Sequence, residues 1–177
     1  ILASNRQCRQ AAASYINSVL MELDYIDAPD LNGEATEMAR HLATLIIEKH
    51  KQNKYSGQPF GFVIGGETTV TLNAPNSGKG GRSQELALAF ALALWDAGLA
   101  APQQWAILSA GTDGRDGPTD AAGGHIASGQ SFDPDAARLA LLRHNSYDYL
   151  QAHGQLLKIG ATGTNLADLV LVIAKSS

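Results

Sequence analysis

The sequence predicts an α/β fold, a layered domain with a mixed β-sheet flanked by helices. Three observations predict it. Segments with apolar residues at helical spacing alternate with short apolar or β-branched runs. Loops rich in glycine, asparagine, proline and aspartate separate them. Two of the runs, 60–64 and 68–72, lie too close together for a helical crossover, which predicts an antiparallel pair and therefore a mixed sheet.

The elements follow in order. Residues 5–23 are alanine-rich, with Ala12, Tyr15, Ile16, Val19 and Leu23 at helical spacing. Pro29 and Asn32-Gly33 mark a loop. A second helix is predicted over 34–50 on the stripe Met38, Leu42, Leu45 and Ile46, with Glu34 in its first turn favouring the helix dipole. Residues 51–59 are polar and read as a surface loop. Phe60–Ile64 ends in Gly65-Gly66, and β-branched Thr68–Leu72 begins almost at once. A loop over 73–81 leads into a helix over 83–99, apolar on every face and so expected to be buried nearly all round. Gly98 and Pro102 end it. Trp105–Ala110 reads as a strand, 111–120 as a loop, and Ile126 marks a strand or turn. Helices over 134–143 and 147–153 and strands over 156–159 and 169–173 complete the chain. The first 50 residues thus form a helical lead-in packed on an α/β domain over 51–177.

Composition excludes several functional classes. The chain has 177 residues, 45% hydrophobic and 17% charged, with a formal net charge of −4. That is enough apolar material for an ordinary core. The cations are scattered, without the basic stripe that tracks nucleic acid. No apolar run reaches membrane-spanning length, the longest being Leu86–Trp95, and no signal peptide is visible. The one cysteine, Cys8, permits no internal disulfide, in keeping with a cytoplasmic location. The five histidines share no zinc-ligand spacing, and no Gly-x-Ser-x-Gly elbow is present. The chain starts at Ile1 rather than methionine and reads as cut from a longer polypeptide.

Three loops carry residues suited to chemistry. The first joins Gly65-Gly66-Glu67-Thr68-Thr69 to Gly78-Lys79-Gly80-Gly81-Arg82-Ser83-Gln84-Glu85. Glycines ahead of a helix let backbone N–H groups converge on an anion. Arg82 opposes the helix dipole, and a bound anion would explain it; a surface arginine on a flexible linker is the other reading. Neither the Walker pattern nor G-x-G-x-x-G is satisfied, because Gly80 follows Lys79 and Ser83 stands where glycine is needed. The second loop, Gly111-Thr112-Asp113-Gly114-Arg115-Asp116-Gly117-Pro118-Thr119-Asp120, directly follows a strand, where ligands gather in open α/β sheets. Its carboxylates suit Mg²⁺, a general base or hydroxyl groups, against the alternative of an acidic surface turn. The third, Gly160-Ala161-Thr162-Gly163-Thr164-Asn165, offers hydroxyls and freed amides for anionic oxygens, or is a polar connection.

Taken in order, these motifs resemble the MOFRL domain, the C-terminal domain of glycerate 2-kinases, a group also labelled hydroxypyruvate reductase. Ala121-Ala122-Gly123, Asn145-Ser146-Tyr147 and Gly33-Glu34-Ala35 fit as well. The resemblance covers nearly the whole chain. It departs at Ser83 and Ala161, where the family usually carries asparagine and proline. Family members are longer and have an N-terminal α/β domain that this chain lacks, with the substrate cleft between the two.

The resemblance implies transfer of the ATP γ-phosphate to the 2-hydroxyl of D-glycerate with Mg²⁺, this chain supplying half of the site and little activity alone. It implies Arg82, Asp113 and Asp116 as catalytic residues, the two aspartates also as Mg²⁺ ligands. Glu67, Thr68, Ser83, Thr112, Thr162, Thr164 and Asn165 would bind substrate, and Gly78, Gly80 and Gly81 the nucleotide. The partner would be the missing domain, and its uncovered apolar docking face could support a homo-oligomer. Two alternatives remain at this point. One is an NAD(P)H-dependent hydroxypyruvate reductase, against which the failed dinucleotide pattern argues. The other is a non-catalytic binding module of the same fold.

Overall fold

A computed structural model describes residues 4–20, 23–53, 57–72 and 77–176. Ile1 and parts of the predicted first helix (21–22) and of the loops over 51–59 and 73–81 (54–56 and 73–76) lie outside the described residues.

In chain order the elements are α1 (Asn5–Leu20), β1 (Asp24–Tyr25), α2 (Ala35–Gln52), β2 (Pro59–Gly66), α3 (Arg82–Ala97), a 3₁₀ turn (Gly98–Ala100), β3 (Gln104–Gly111), β4 (Gly123–Ala127), α4 (Pro134–Leu142), α5 (Ser146–Ala152), β5 (Leu156–Leu157) and β6 (Asp168–Lys175). The strands form one open sheet in the order β1-β2-β6-β3-β4-β5. Only β1 and β2 are parallel; the other pairs are antiparallel. The sheet is therefore mixed and flanked by helices, as the sequence predicts.

The reason for the mixture differs from the predicted one. Residues 68–72 do not pair with 60–64. Both edges of β2 are already occupied, by β1 and Leu31 on one side and by β6 on the other. The 68–72 segment instead runs beside the start of α2. Thr69 N donates to Gly33 O, Ala35 N donates to Thr69 O, and the Glu34 carboxylate accepts from the Thr69 and Thr71 hydroxyls and from Thr71 N. Glu34 thus stands before the helix as a tie for this segment, and those bonds lower its pKa, the Thr71 hydroxyl most.

Period-two alternation divides the sheet into two faces. Phe60, Phe62 and Ile64 of β2 lie in register with Ala174, Val172 and Val170 of β6, and these pack under α2 and α3 with Ile107 and Ile126. The α2 stripe supplies Met38, Leu42 and Ile46 to this core. Helix α3 is buried on every side from Ser83 to Ala91, as its composition predicts. Burying a leucine or phenylalanine of this layer contributes about 1.5–3 kcal/mol. On the opposite face α1 crosses β2, where Gly65 leaves room for Asn5. Of the predicted α1 stripe, Ile16 is buried but Tyr15 is 70% exposed and Val19 is exposed, because α1 packs mainly on β2 and no second helix among the described residues covers its outer side. Beyond α1 that face is a shallow apolar trough between Leu108 and Leu171. No helix among the described residues is long and apolar enough to cross a membrane.

Candidate functional site

Topology brings the three loops together. Strands β2 and β3 both run antiparallel to β6 on either side of it, so their C-terminal ends meet its first residue. Asp168 is in register with Gly66 on one side and Gly111 on the other. Neither neighbour carries a side chain, and the Asp168 carboxylate is buried, its side chain only 3% exposed.

Arg82, the first residue of α3, reaches this carboxylate with two bonds, Nε to Oδ2 at 2.6 Å and Nη2 to Oδ1 at 3.0 Å. A third nitrogen, Nη1, lies 2.7 Å from Glu67 Oε1. The Asp168 bonds raise the Arg82 pKa above its ordinary value. The dipole conflict expected at this position is therefore met within the protein, by two carboxylates. The α3 N-terminus is met internally too. The Asp116 carboxylate accepts from Ser83 N at 3.1 Å and Gln84 N at 2.8 Å. Asp116 is 4% exposed, and burial pushes its pKa up to about 6 against the pull of those amides. Gly81 permits this approach, since a Cβ there would collide with the Asp116 carboxylate.

Loops two and three are stitched edge to edge. Thr112 Oγ1 donates to Ala167 O and accepts from Leu166 N. Thr162 Oγ1 donates to Thr112 O at 2.6 Å, and Thr162 N donates to Asp113 O. Asn165 Oδ1 accepts from Ala167 N. Ala167 has φ 66°, a left-handed conformation disfavoured for alanine, immediately before Asp168. Asn5 Nδ2 braces the same turn from α1, donating to Leu166 O and Asp168 O.

A cavity of about 420 Å³ opens at this end of the sheet. Glu67, Thr68, Gly78, Gly80, Gly81 and Arg82 line it, six of the residues singled out from sequence. Asp116 and Ser83 lie behind it, buried, the Ser83 hydroxyl without a hydrogen-bond partner among the described residues. Thr112, Thr162, Thr164, Asn165 and Asp113 sit in the adjoining stitched loops. Asp113 Oδ1 accepts from Arg115 N at 2.9 Å. Among the described residues no three His, Cys, Asp or Glu side chains converge to hold a metal.

The sequence reading passed over three features of this region. Asp168, three residues past the third loop, is not among the residues the sequence points to. Its signal was an acidic residue opening an apolar strand. Glu85 and His144, 3.1 Å apart on the cavity wall, are adjacent only in space. Burial raises the Glu85 pKa, opposed by its bond to His144. Tyr147 gathers Lys79, Lys158 and Asp120 around it, again from separate segments.

The MOFRL family model matches residues 60–168, more than half of the chain and all three loops. The chain belongs to the MOFRL family. Among proteins similar to this MOFRL chain is a glycerate 2-kinase of Pyrococcus horikoshii, 37% identical over 158 residues, which make up 86% of this chain and 34% of that protein. A D-glycerate 2-kinase of Thermotoga maritima is 38% identical over 146 residues, 80% of this chain and 33% of that protein. The crystal structure of a Thermotoga maritima glycerate kinase superposes with a TM-score of 0.74 at 32% identity, covering 97% of this chain and 41% of that one. The MOFRL chain thus spans about a third of the length of the curated relatives it matches.

Proposed function

We propose that this chain forms one wall of a glycerate 2-kinase active site, in which the γ-phosphate of ATP passes to the 2-hydroxyl of D-glycerate. The observation that carries the reading is Arg82, held by Asp168 at the mouth of the 420 Å³ cavity where the loops converge. Phosphoryl transfer depends on positioning and charge neutralisation more than on covalent chemistry from the protein. Asp168 is buried and fixes the guanidinium plane. Glu67 is exposed and its side chain makes a single ion pair among the described residues, so an incoming carboxylate or phosphoryl oxygen can displace it from Nη1. Thr68 and the amides of Gly80 and Gly81 would orient the substrate, those of Gly78 and Lys79 being held by Arg143 O and Asn145 Oδ1.

For Mg²⁺, Asp113 is the carboxylate that fits. Asp116 gives both oxygens to amides and Asp120 gives both to Tyr147 and Lys158, whereas Asp113 keeps one oxygen without a partner among the described residues. One carboxylate together with nucleotide phosphates is an ordinary Mg²⁺ environment, and the ion supplies neutralisation of phosphoryl charge when bound. Asp116 then serves by setting the start of α3, and with it Arg82.

A chimera tests this, in which the chain replaces the matching third of the Thermotoga maritima D-glycerate 2-kinase. It should phosphorylate D-glycerate with ATP, and Arg82→Ala should lower kcat/KM by about 100-fold or more. Unchanged kinetics in that variant would remove Arg82 from the reaction. On the chain alone, D-glycerate should raise the melting temperature through binding to the folded state, and Arg82→Ala should abolish the rise.

A further inference from the structure

With the α3 N-terminus filled by Asp116 and Arg82 bound by two carboxylates, the unneutralised positive charge at this end of the sheet lies elsewhere. It gathers around Tyr147. Lys79 Nζ sits 3.7 Å from the centre of the Tyr147 ring, and Lys158 Nζ lies 5.3 Å from the same centre. Tyr147 itself is 5% exposed, with its hydroxyl donating to Asp120 and accepting from Lys158 at 3.0 Å. Asp120 is the one carboxylate that pairs with this cluster among the described residues, 2.9 Å from Lys158. Its pKa is lowered to about 2, first by the Tyr147 bond and then by Lys158, so it stays charged and yet balances one ammonium only. Beside Asp120 a second cavity of about 450 Å³ opens between residues 114–120 and Gly160-Ala161, with exposed Arg115 on its wall. Among the described residues the backbone N–H groups of Gly160, Ala161 and Gly163 donate to no protein acceptor.

Arg115 and the amides of Gly160 and Ala161 line this cavity, and the two lysines on Tyr147 border it through Asp120, which together makes a place for several negative charges in a row. We infer that Lys79, Lys158 and Arg115 bind the polyphosphate chain of a nucleoside di- or triphosphate along the rim of the cavity between loops two and three, the lysines from beside Asp120 and Arg115 from its wall. Binding of a polyphosphate rests on the cluster alone; its being that of a phosphoryl-donor nucleotide rests on the kinase reading above. Gly117 and Pro118 line both cavities, so the two sites share a wall and a donor phosphate would lie next to the Arg82 cavity. The Lys79 ammonium over an aromatic face gains from the ring's negative quadrupole and exchanges that contact for a phosphate without leaving the loop.

Isothermal titration of this chain with sodium tripolyphosphate, ADP and adenosine tests the inference. Tripolyphosphate and ADP should each bind at one site per chain, with adenosine weaker by about tenfold or more. The Lys79→Ala/Lys158→Ala double variant should weaken both phosphate ligands by about tenfold or more, and Arg115→Ala by a smaller factor. Arg82→Ala, whose guanidinium faces the adjoining cavity, should weaken tripolyphosphate binding by less than the double lysine variant does. Lys79→Gln/Lys158→Gln, which keeps the packing of the stems over Tyr147, should behave as the alanine pair does and guards against a folding defect. Binding that survives the double variants, binding weakened more by Arg82→Ala than by them, or no binding of tripolyphosphate at about 1 mM overturns the site. If ADP binds through the lysines but the chimera does not phosphorylate glycerate, the kinase reading falls and this site stands. If the chimera is active and its KM for ATP is untouched by the double variant, the reverse holds.

Discussion

Asp116 faces two opposed forces, burial against its charge and two amides in favour of it, and burial prevails. Its pKa is raised from 3.8 to about 6. Between those values the folded chain holds a proton that the unfolded chain has released, so this group's contribution to stability falls as pH rises through the window. Urea midpoints measured from about pH 4 to pH 7 should show that decline, and Asp116→Asn should flatten it. Asp120 acts in the other direction and in another window, its contribution being lost only as pH falls from 3.8 toward about 2. Ala167 stores strain: a left-handed alanine costs roughly 1–2 kcal/mol, partly offset on replacement by glycine's greater freedom when unfolded. Ala167→Gly should raise stability by about 1 kcal/mol and the melting temperature with it. A drop would show that the packing of the Ala167 methyl group outweighs the strain of its left-handed backbone. The misfit of Arg82 with the helix dipole was legible in the sequence as a demand for negative charge. That Asp168 and Glu67 meet the demand was not, because Asp168 lies 86 positions away in the chain.

At the scale of elements, glycines decide how closely the loops approach. Gly114 has φ 86°, and a Cβ there would strike the carbonyl of Gly160. Gly114→Ala should therefore part the second and third loops and cost about 3 kcal/mol, with loss of protection in amide exchange over 160–168. Unchanged exchange in that segment would show that the stitching does not depend on contact at Gly114. The helices α2 and α3 and the strands β2, β3 and β6 were legible to within a few residues, since each has a strong apolar period. The two-residue β1 was not, having no period to show. The pairing assigned to 68–72 failed because β propensity says that a segment is extended, not which edge is free to receive it.

At the scale of the whole molecule, the described residues share one core that joins α2 and α3 to both central strands and continues to α4 and α5. Unfolding should accordingly be a single transition, with tryptophan fluorescence from Trp95 and Trp105 and far-UV circular dichroism reporting the same midpoint. Deleting residues 1–52 removes Leu42 and Ile46 from that core and should abolish the cooperative transition; a sharp transition in the remainder would show that the helical lead-in is dispensable. The chain by itself determined its class, its helices and the three glycine-flanked loops, because periodicity, turn chemistry and motif order are local properties that composition and spacing express directly. Only the tertiary structure decided that Asp168 stands between two glycines to hold Arg82, that Asp116 occupies the α3 N-terminus, and that Lys79 and Lys158 meet at Tyr147. Each of these joins residues from different strands and loops, and strand order, set by the burial of a shared apolar face, carries no mark in any single stretch of sequence.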